Sequence, residues 1–281
     1  MARPQQHLAK VKKSSTTPLF SGEVSELIAE VLQAREAAKP PRRELHVSDL
    51  GRCPRQIALR LTGVAKSNPP TIDSLINFAV GEAVEDKIAS LLADNPKVLA
   101  IHRNLEFKIF YNGFTIEGHA DILIELADSH ILVECKSLNS RAMSWMLKKG
   151  GNGKDDHRLQ NAGYLYGSHF VGSPIKPHTN GKIVYIVKDA TKGEPVMFEA
   201  SFTMESEMQN IETELTILTD TASGVERGVI PEIPDGYKFS AYPCTYCDWQ
   251  RHCHGYEAAP NDEPATTPEE EITTWETPQT T

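Results

Sequence analysis

The sequence predicts a mixed α/β fold, a central sheet flanked by helices, on three observations. Apolar residues recur at helical spacing in residues 23–38 and 73–92. Between 100 and 136 the pattern changes to strand-like runs, two of them joined by the hairpin dipeptide Asn112-Gly113. After these strands, helix and strand signals alternate again, so the order reads helix, three strands, helix, strand.

Residues 1–20 are basic and polar with no apolar period, and are expected to be disordered. The first helix carries Val24, Leu27, Ile28, Val31 and Leu32 and stops at Pro40-Pro41. Ser48 reads as the N-cap of a helix running through Leu61, with Gly63 as its stop and Cys53 inside it. A helix over 73–92 precedes strands over 100–111, 115–125 and 130–136. A helix over 155–167, strands over 182–188 and near 198–202, and a long helix over 205–221 then lead to a cysteine cluster. The tail from Glu257, rich in Pro, Thr and Glu, reads as disordered. Trp275 within it is a chance aromatic or a short docking peptide. The expected organisation is a basic N-terminus (1–20), one folded domain (21–256) and an acidic tail (257–281).

Composition narrows the class. Five cysteines are too few for a disulfide scaffold, and the basic start is not followed by an apolar leader segment. No apolar run approaches the roughly 20 residues of a membrane helix. A cytoplasmic protein with reduced thiols and no membrane partner is the expectation. The net charge of -9 is unevenly spread. Residues 1–43 hold eight Lys/Arg against four Asp/Glu, residues 257–281 hold seven acids and no Lys/Arg, and the body is left at -6. Such a body is not a general polyanion binder, so nucleic-acid contact has to come from local patches.

The chemistry falls on the second and third strands. I-E-G-H-A-D-I-L-I-E sets Asp121 among apolar residues, and H-I-L-V-E-C-K-S does the same for Glu134 and Lys136. Alternation along a strand sends Glu134 and Lys136 to one face and Cys135 to the other, where it reads as a small core residue. Two carboxylates and a lysine converging there suit a hard divalent cation with water and phosphate. His119 shares the strand with Asp121, as a ligand or a flanking residue. In H-R-L-Q-N-A-G-Y, Gln160 and Tyr164 share a helix face. Glu85 follows Gly81 by four residues on an earlier helix, as a metal ligand or a solvated charge. G-N-G-K at 151–154 lacks the Ser/Thr and preceding strand of a phosphate loop. It reads instead as part of a basic loop in which Lys148, Lys149, Lys154 and Arg158 can touch a DNA backbone.

The remaining cysteines divide one against three. Cys53 stands alone in G-R-C-P-R, while Cys244, Cys247 and Cys253 form C-x2-C-x5-C. Four thiolates complete either a tetrahedral zinc site or an iron–sulfur cube. His252 and His254 offer a zinc alternative without Cys53.

Taken in order, C-P-R, G-x3-E, G-x-x-D, E-x-K, Q-x3-Y and C-x2-C-x5-C resemble the PD-(D/E)XK nucleases. The resemblance is to their iron–sulfur RecB-like branch, which includes CRISPR-associated spacer-acquisition exonucleases and bacteriophage exonucleases. It extends over residues 47–255. It implies a restriction-endonuclease-like core closed by a cysteine-ligated C-terminal iron–sulfur segment. It further implies Mg2+ or Mn2+ on Asp121, Glu134 and the backbone carbonyl of Cys135, Lys136 as the catalytic lysine, and Gln160 and Tyr164 as positioning residues. Many relatives carry histidine where Glu85 stands, and glutamate keeps a hard oxygen ligand there. The implied cofactor at Cys53, Cys244, Cys247 and Cys253 is a 4Fe–4S cluster, with Zn2+ as the alternative. The implied substrate is DNA with single-stranded or free ends, degraded 5′ to 3′, with a helicase, recombination or replication protein as partner. The competing function is a cleavage-inactive or endonucleolytic DNA-binding scaffold subunit.

Overall fold

The computed structural model describes residues 22–255 except 171, 174, 177, 178 and 194. The disorder expected for 1–20 and 257–281, and Trp275, lie outside the described residues. The described residues divide into two compact units, 22–64 with 70–232, and 65–69 with 233–255.

In the first unit, α1 (Glu23–Ala38) ends before the Pro40-Pro41 pair. A two-residue strand β1 (Leu45–His46) and a 3-10 turn (Val47–Asp49) precede α2 (Pro54–Leu61) and α3 (Ile72–Ala93). The helix expected to start at Ser48 is therefore broken. Gly51 takes φ +74°, outside helical space, and Pro54, with no N–H to lose, opens a new helix. Cys53 stands at the N-cap of α2 and not inside it.

The strands β2 (Ala100–Tyr111), β3 (Phe114–Glu125) and β4 (His130–Leu138) follow. Then come α4 (Ser140–Lys148), α5 (Asp155–Gly167), β5 (Asn180–Val187), β6 (Met197–Phe202) and α6 (Met204–Glu226). Sequence periodicity did not reveal β1, which is too short, or α4, whose first turn is capped by Asn139 accepting from the Ala142 N–H at 2.7 Å.

All six strands form one mixed sheet. β2 pairs antiparallel with the whole of β3, from Ala100↔Glu125 to Tyr111↔Phe114. The other edge of β3 is shared. β1 runs parallel to it at Ile116 and Glu117, and β4 runs antiparallel to it only from Ile122 to Glu125. β4 continues alone beside parallel β5, which pairs antiparallel with β6. One sheet face carries α2, α5 and α6, with Ile109, Ile116, Ala120, Tyr164 and Leu215 in the core. The other carries α3, with Ala89 against Ile122, Ile124 and Val133.

In a regular strand, Ala120 and Ile122 would face the same way. Here they pack in different cores, so β3 changes sides at Asp121. The residue across from this point on β2, Asn104, lies between the pairs Arg103↔Ile122 and Leu105↔Ala120 and adopts φ +50°. The two strands are distorted together.

The second unit is held by polar contacts to its short outlying segment. Asn68 N–H donates to the Asp248 carbonyl at 2.8 Å, Arg251 N–H to Asn68 Oδ1 at 3.1 Å and His252 N–H to Ser67 Oγ at 3.1 Å. Lys66 pairs with Asp248 at 2.9 Å. Cys244 opens a 3-10 turn (Cys244–Tyr246), Cys247 caps its end and Cys253 ends α7 (Gln250–Cys253), while Trp249 between them in sequence is buried. Among the described residues no helix is long and apolar enough to cross a membrane.

Candidate active site

The free stretch on the shared edge of β3 creates the site. Residues 118–121 lie past β1 and short of the β4 ladder, so the strands part where Asp121 and Glu134 would next face one another. The Cys135 N–H, with no β3 carbonyl to meet, donates to Asp121 Oδ2 at 2.9 Å. A side-chain carboxylate thus takes the place of a ladder acceptor, and this fixes Asp121 against β4.

Glu134 and Lys136 share a face of β4, as alternation requires, and Lys136 Nζ contacts Glu134 Oε1 directly. Glu134 is 1% exposed, and its second oxygen, Oε2, is buried without a hydrogen-bond partner. Burial raises the Glu134 pKa, an effect Lys136 opposes. Burial, then the charge of Glu134, pushes Asp121 up to about 7. Burial alone would lower the Lys136 pKa, but the charges of Glu134 and Asp121 outweigh it and hold the ammonium charged.

α3 crosses the same strand from the other face. A Cβ placed on Gly81 would lie 3.8 Å from Ser137 Oγ, an ordinary contact, so the helix rests directly on β4. Glu85, one turn later, pairs with Arg103 at 3.5 Å. Its pKa is raised by burial and then by Asp121, and Glu85 in turn contributes to raising Glu134. The three carboxylates feel one another. They are not drawn around one point, however: among the described residues no group of three or more His, Cys, Asp or Glu is arranged to hold a metal ion.

α5 closes the opposite side. Its approach depends on two glycines: a Cβ at Gly163 would strike Leu50 at 2.6 Å, and one at Gly167 would strike Phe107 at 2.4 Å. With both absent, the helix sinks toward the sheet and carries Gln160 and Tyr164 inward. Lys136 Nζ donates to Gln160 Oε1 at 3.4 Å, and Gln160 Nε2 donates to Tyr164 Oη at 2.8 Å. The polar line Glu134–Lys136–Gln160–Tyr164 therefore joins β4 to α5.

Other expected residues lie elsewhere. Arg158 turns into the fold, donating to the buried Glu207 at 2.7 Å, and so is not a free cation of a mobile loop. Lys148 ends α4, Lys149 lies 4.2 Å over the Trp145 ring, and Lys154 offers its backbone N–H to Tyr185 Oη at 3.0 Å. Residues 149–154 form the expected loop between α4 and α5, with Lys148 and Arg158 on the flanking helices. His119 is exposed and stacks on His46, sharing a 2.9 Å hydrogen bond. In the second unit Cys247 Sγ accepts from the Trp249 N–H at 3.5 Å. His254 packs edge-on against Phe239. Cys53, in the first unit, is only partly buried.

Two residues beside Lys136 escaped the sequence reading. His157 shares a 3.1 Å hydrogen bond with Tyr185 Oη, and Tyr185 is the β5 register partner of Lys136. Burial, then the charge of Lys136, lowers His157 to about 2, so it is neutral. Its position three residues before Gln160, on the same helix face, was the available signal.

A model of the PD-(D/E)XK nuclease superfamily matches residues 72–254, and the chain belongs to that superfamily. The fold is similar to the crystal structure of SSO0001, with a TM-score of 0.51 and 19% identity, covering 84% of this chain and 98% of that one. The crystal structure of an alkaline exonuclease (LHK-Exo) from Laribacter hongkongensis aligns with a TM-score of 0.45 and 14% identity, over 70% of this chain and 95% of that one. No curated protein matches the sequence.

Proposed function

We propose that the protein is a divalent-metal-dependent deoxyribonuclease acting at single-stranded DNA ends. The observation that carries this reading is Glu134: a buried carboxylate with one oxygen on Lys136 and the other unpartnered, among acids that raise one another's pKa. By its chemistry such a donor set suits a hard cation, and Glu85, Asp121, Glu134 and the Cys135 carbonyl would be its protein ligands once drawn around it. Mg2+ or Mn2+ bound there would supply Lewis acidity toward a phosphodiester and its attacking water. The residues of the chain do the rest. Lys136 presents a fixed positive charge to the developing phosphorane, Gln160 holds the ammonium in place, and Tyr164 orients Gln160. Arg52, whose charge is felt by Lys136 and His157, adds positive potential at the same mouth.

Exonucleolytic action in the 5′ to 3′ direction rests on the ordered sequence motifs, as does service to a helicase, recombination or replication partner. So does a 4Fe–4S cluster on Cys53, Cys244, Cys247 and Cys253. Iron and acid-labile sulfide in anaerobically purified protein would support the cluster, whereas stoichiometric zinc would replace it. The decisive assay digests end-labelled linear and circular single-stranded DNA with Mg2+, Mn2+ or EDTA. Metal-dependent release from the 5′-labelled linear strand alone is expected. Cutting of circles would make the enzyme an endonuclease, and absence of cleavage with every metal would leave a DNA-binding scaffold.

A further inference from the structure

We propose that α1 is a homodimerisation helix, its outward apolar stripe pairing in parallel with the same helix of a second copy. α1 packs on the rest of its unit through a small, partly polar face, Ser25, Ala29, Leu32 and Glu36, all partly covered. Its larger apolar residues point the other way. Val24 is 69% exposed, Leu27 56%, Ile28 51% and Val31 51%. Burying the weaker face and exposing the stronger one is unfavourable for an isolated copy, since exposed contiguous apolar surface marks an interaction site.

The spacing identifies the occupant. Val24, Val31 and Ala38 fall at heptad position a, and Leu27 and Ala34 at d. β-branched residues at a with leucine at d favour two-stranded parallel pairing. The flanking charges agree. Glu30 falls at g and Arg35 at e, the g-to-e′ relation that faces opposite charges across a parallel pair. Both side chains are exposed. An antiparallel pair would instead set Glu30 positions against each other. The stripe spans little more than two heptads, so the association is weak and concentration-dependent.

Sedimentation of the full chain over a concentration series tests this independently of nuclease activity. A monomer–dimer equilibrium is expected, abolished by Leu27→Glu with an unchanged melting temperature, because Leu27 is exposed in the single copy. Glu30→Arg and Arg35→Glu alone should each weaken the dimer a few-fold, and the two together should restore it. A wild-type chain that stays monomeric at every concentration would overturn the proposal. So would a dimer that persists with Leu27→Glu. A monomer that self-associates only after removal of residues 1–21 would show that these residues cover the stripe, and would equally overturn it.

Discussion

Two buried carboxylates in the same unit, Asp49 and Glu134, are treated in opposite ways. Asp49 is 5% exposed and fully met: Arg42 donates to Oδ1 at 2.8 Å, and Arg60 and the His46 N–H donate to Oδ2 at 2.6 and 2.8 Å. Glu207 is similar, held by Arg158 and Asn210. Glu134 is more deeply buried, yet one of its oxygens has no partner, the charge of Glu85 raises its pKa and its own charge raises that of Asp121. Burial of a charge therefore does not distinguish a structural residue from a functional one. The distinction lies in whether the surroundings satisfy it, because an unmet buried charge is retained only where something else offsets its cost.

The sharpest way to test this contrast is to remove charge at each place. Lys136→Ala should reduce metal-dependent DNA cleavage by about a thousandfold or more while leaving the circular dichroism near wild type. Near-normal turnover in such a variant would reject the site. Asp121→Asn should abolish cleavage similarly.

The two pockets should then diverge in stability. Asp49→Asn strands Arg60 and Arg42 and should cost about 3 kcal/mol, with activity per folded molecule preserved. Asp121→Asn keeps an acceptor for the Cys135 N–H but removes an unfavourable charge. In EDTA above neutral pH it should therefore stabilise the protein by roughly 2–4 kcal/mol, one pKa unit being about 1.4 kcal/mol. Urea melts of both variants measure the comparison, and stabilisation by Asp49→Asn would overturn it.

pH offers a gentler version of the same test. The folded value of Asp121, about 7, lies above its ordinary 3.8, so the native state binds this proton more tightly than the unfolded chain does. Its contribution to stability is full below 3.8 and is lost as pH rises through about 7. Metal-free protein should accordingly melt lower above that value than below it, and Mg2+ should narrow the difference. A melting temperature that rises across this interval in EDTA would contradict the raised pKa. The smallest effect is expected at Gln160, which acts through Lys136: Gln160→Ala should lower kcat by roughly tenfold to a hundredfold with little change in KM.

Much of this was legible in the sequence because local rules govern it. The hairpin at Asn112-Gly113, the alternation that pairs Glu134 with Lys136, and the four-residue spacing of Gln160 and Tyr164 all follow from backbone periodicity. The motif order identified the nuclease superfamily for the same reason: it preserves which side chain stands on which element. Local rules failed where neighbours in space intervened. Ser48 is a sound N-cap residue, but Gly51 and Pro54 divide its helix. Arg158 reads as a loop cation, but Glu207 on α6 draws it inward.

The sequence by itself determined the residue types of the site, their strands and helices, and the faces that Glu134 shares with Lys136 and Gln160 with Tyr164, since these depend on periods of 2 and 3.6 along one chain. Only the tertiary structure decided that β3 exchanges β1 for β4 beside Asp121, and that two glycines let α5 bring Gln160 to Lys136. It alone left Glu134 half satisfied. Strand partners and helix approach distances are set by packing between segments remote in sequence, and the pKa of a buried acid is set by all of them together.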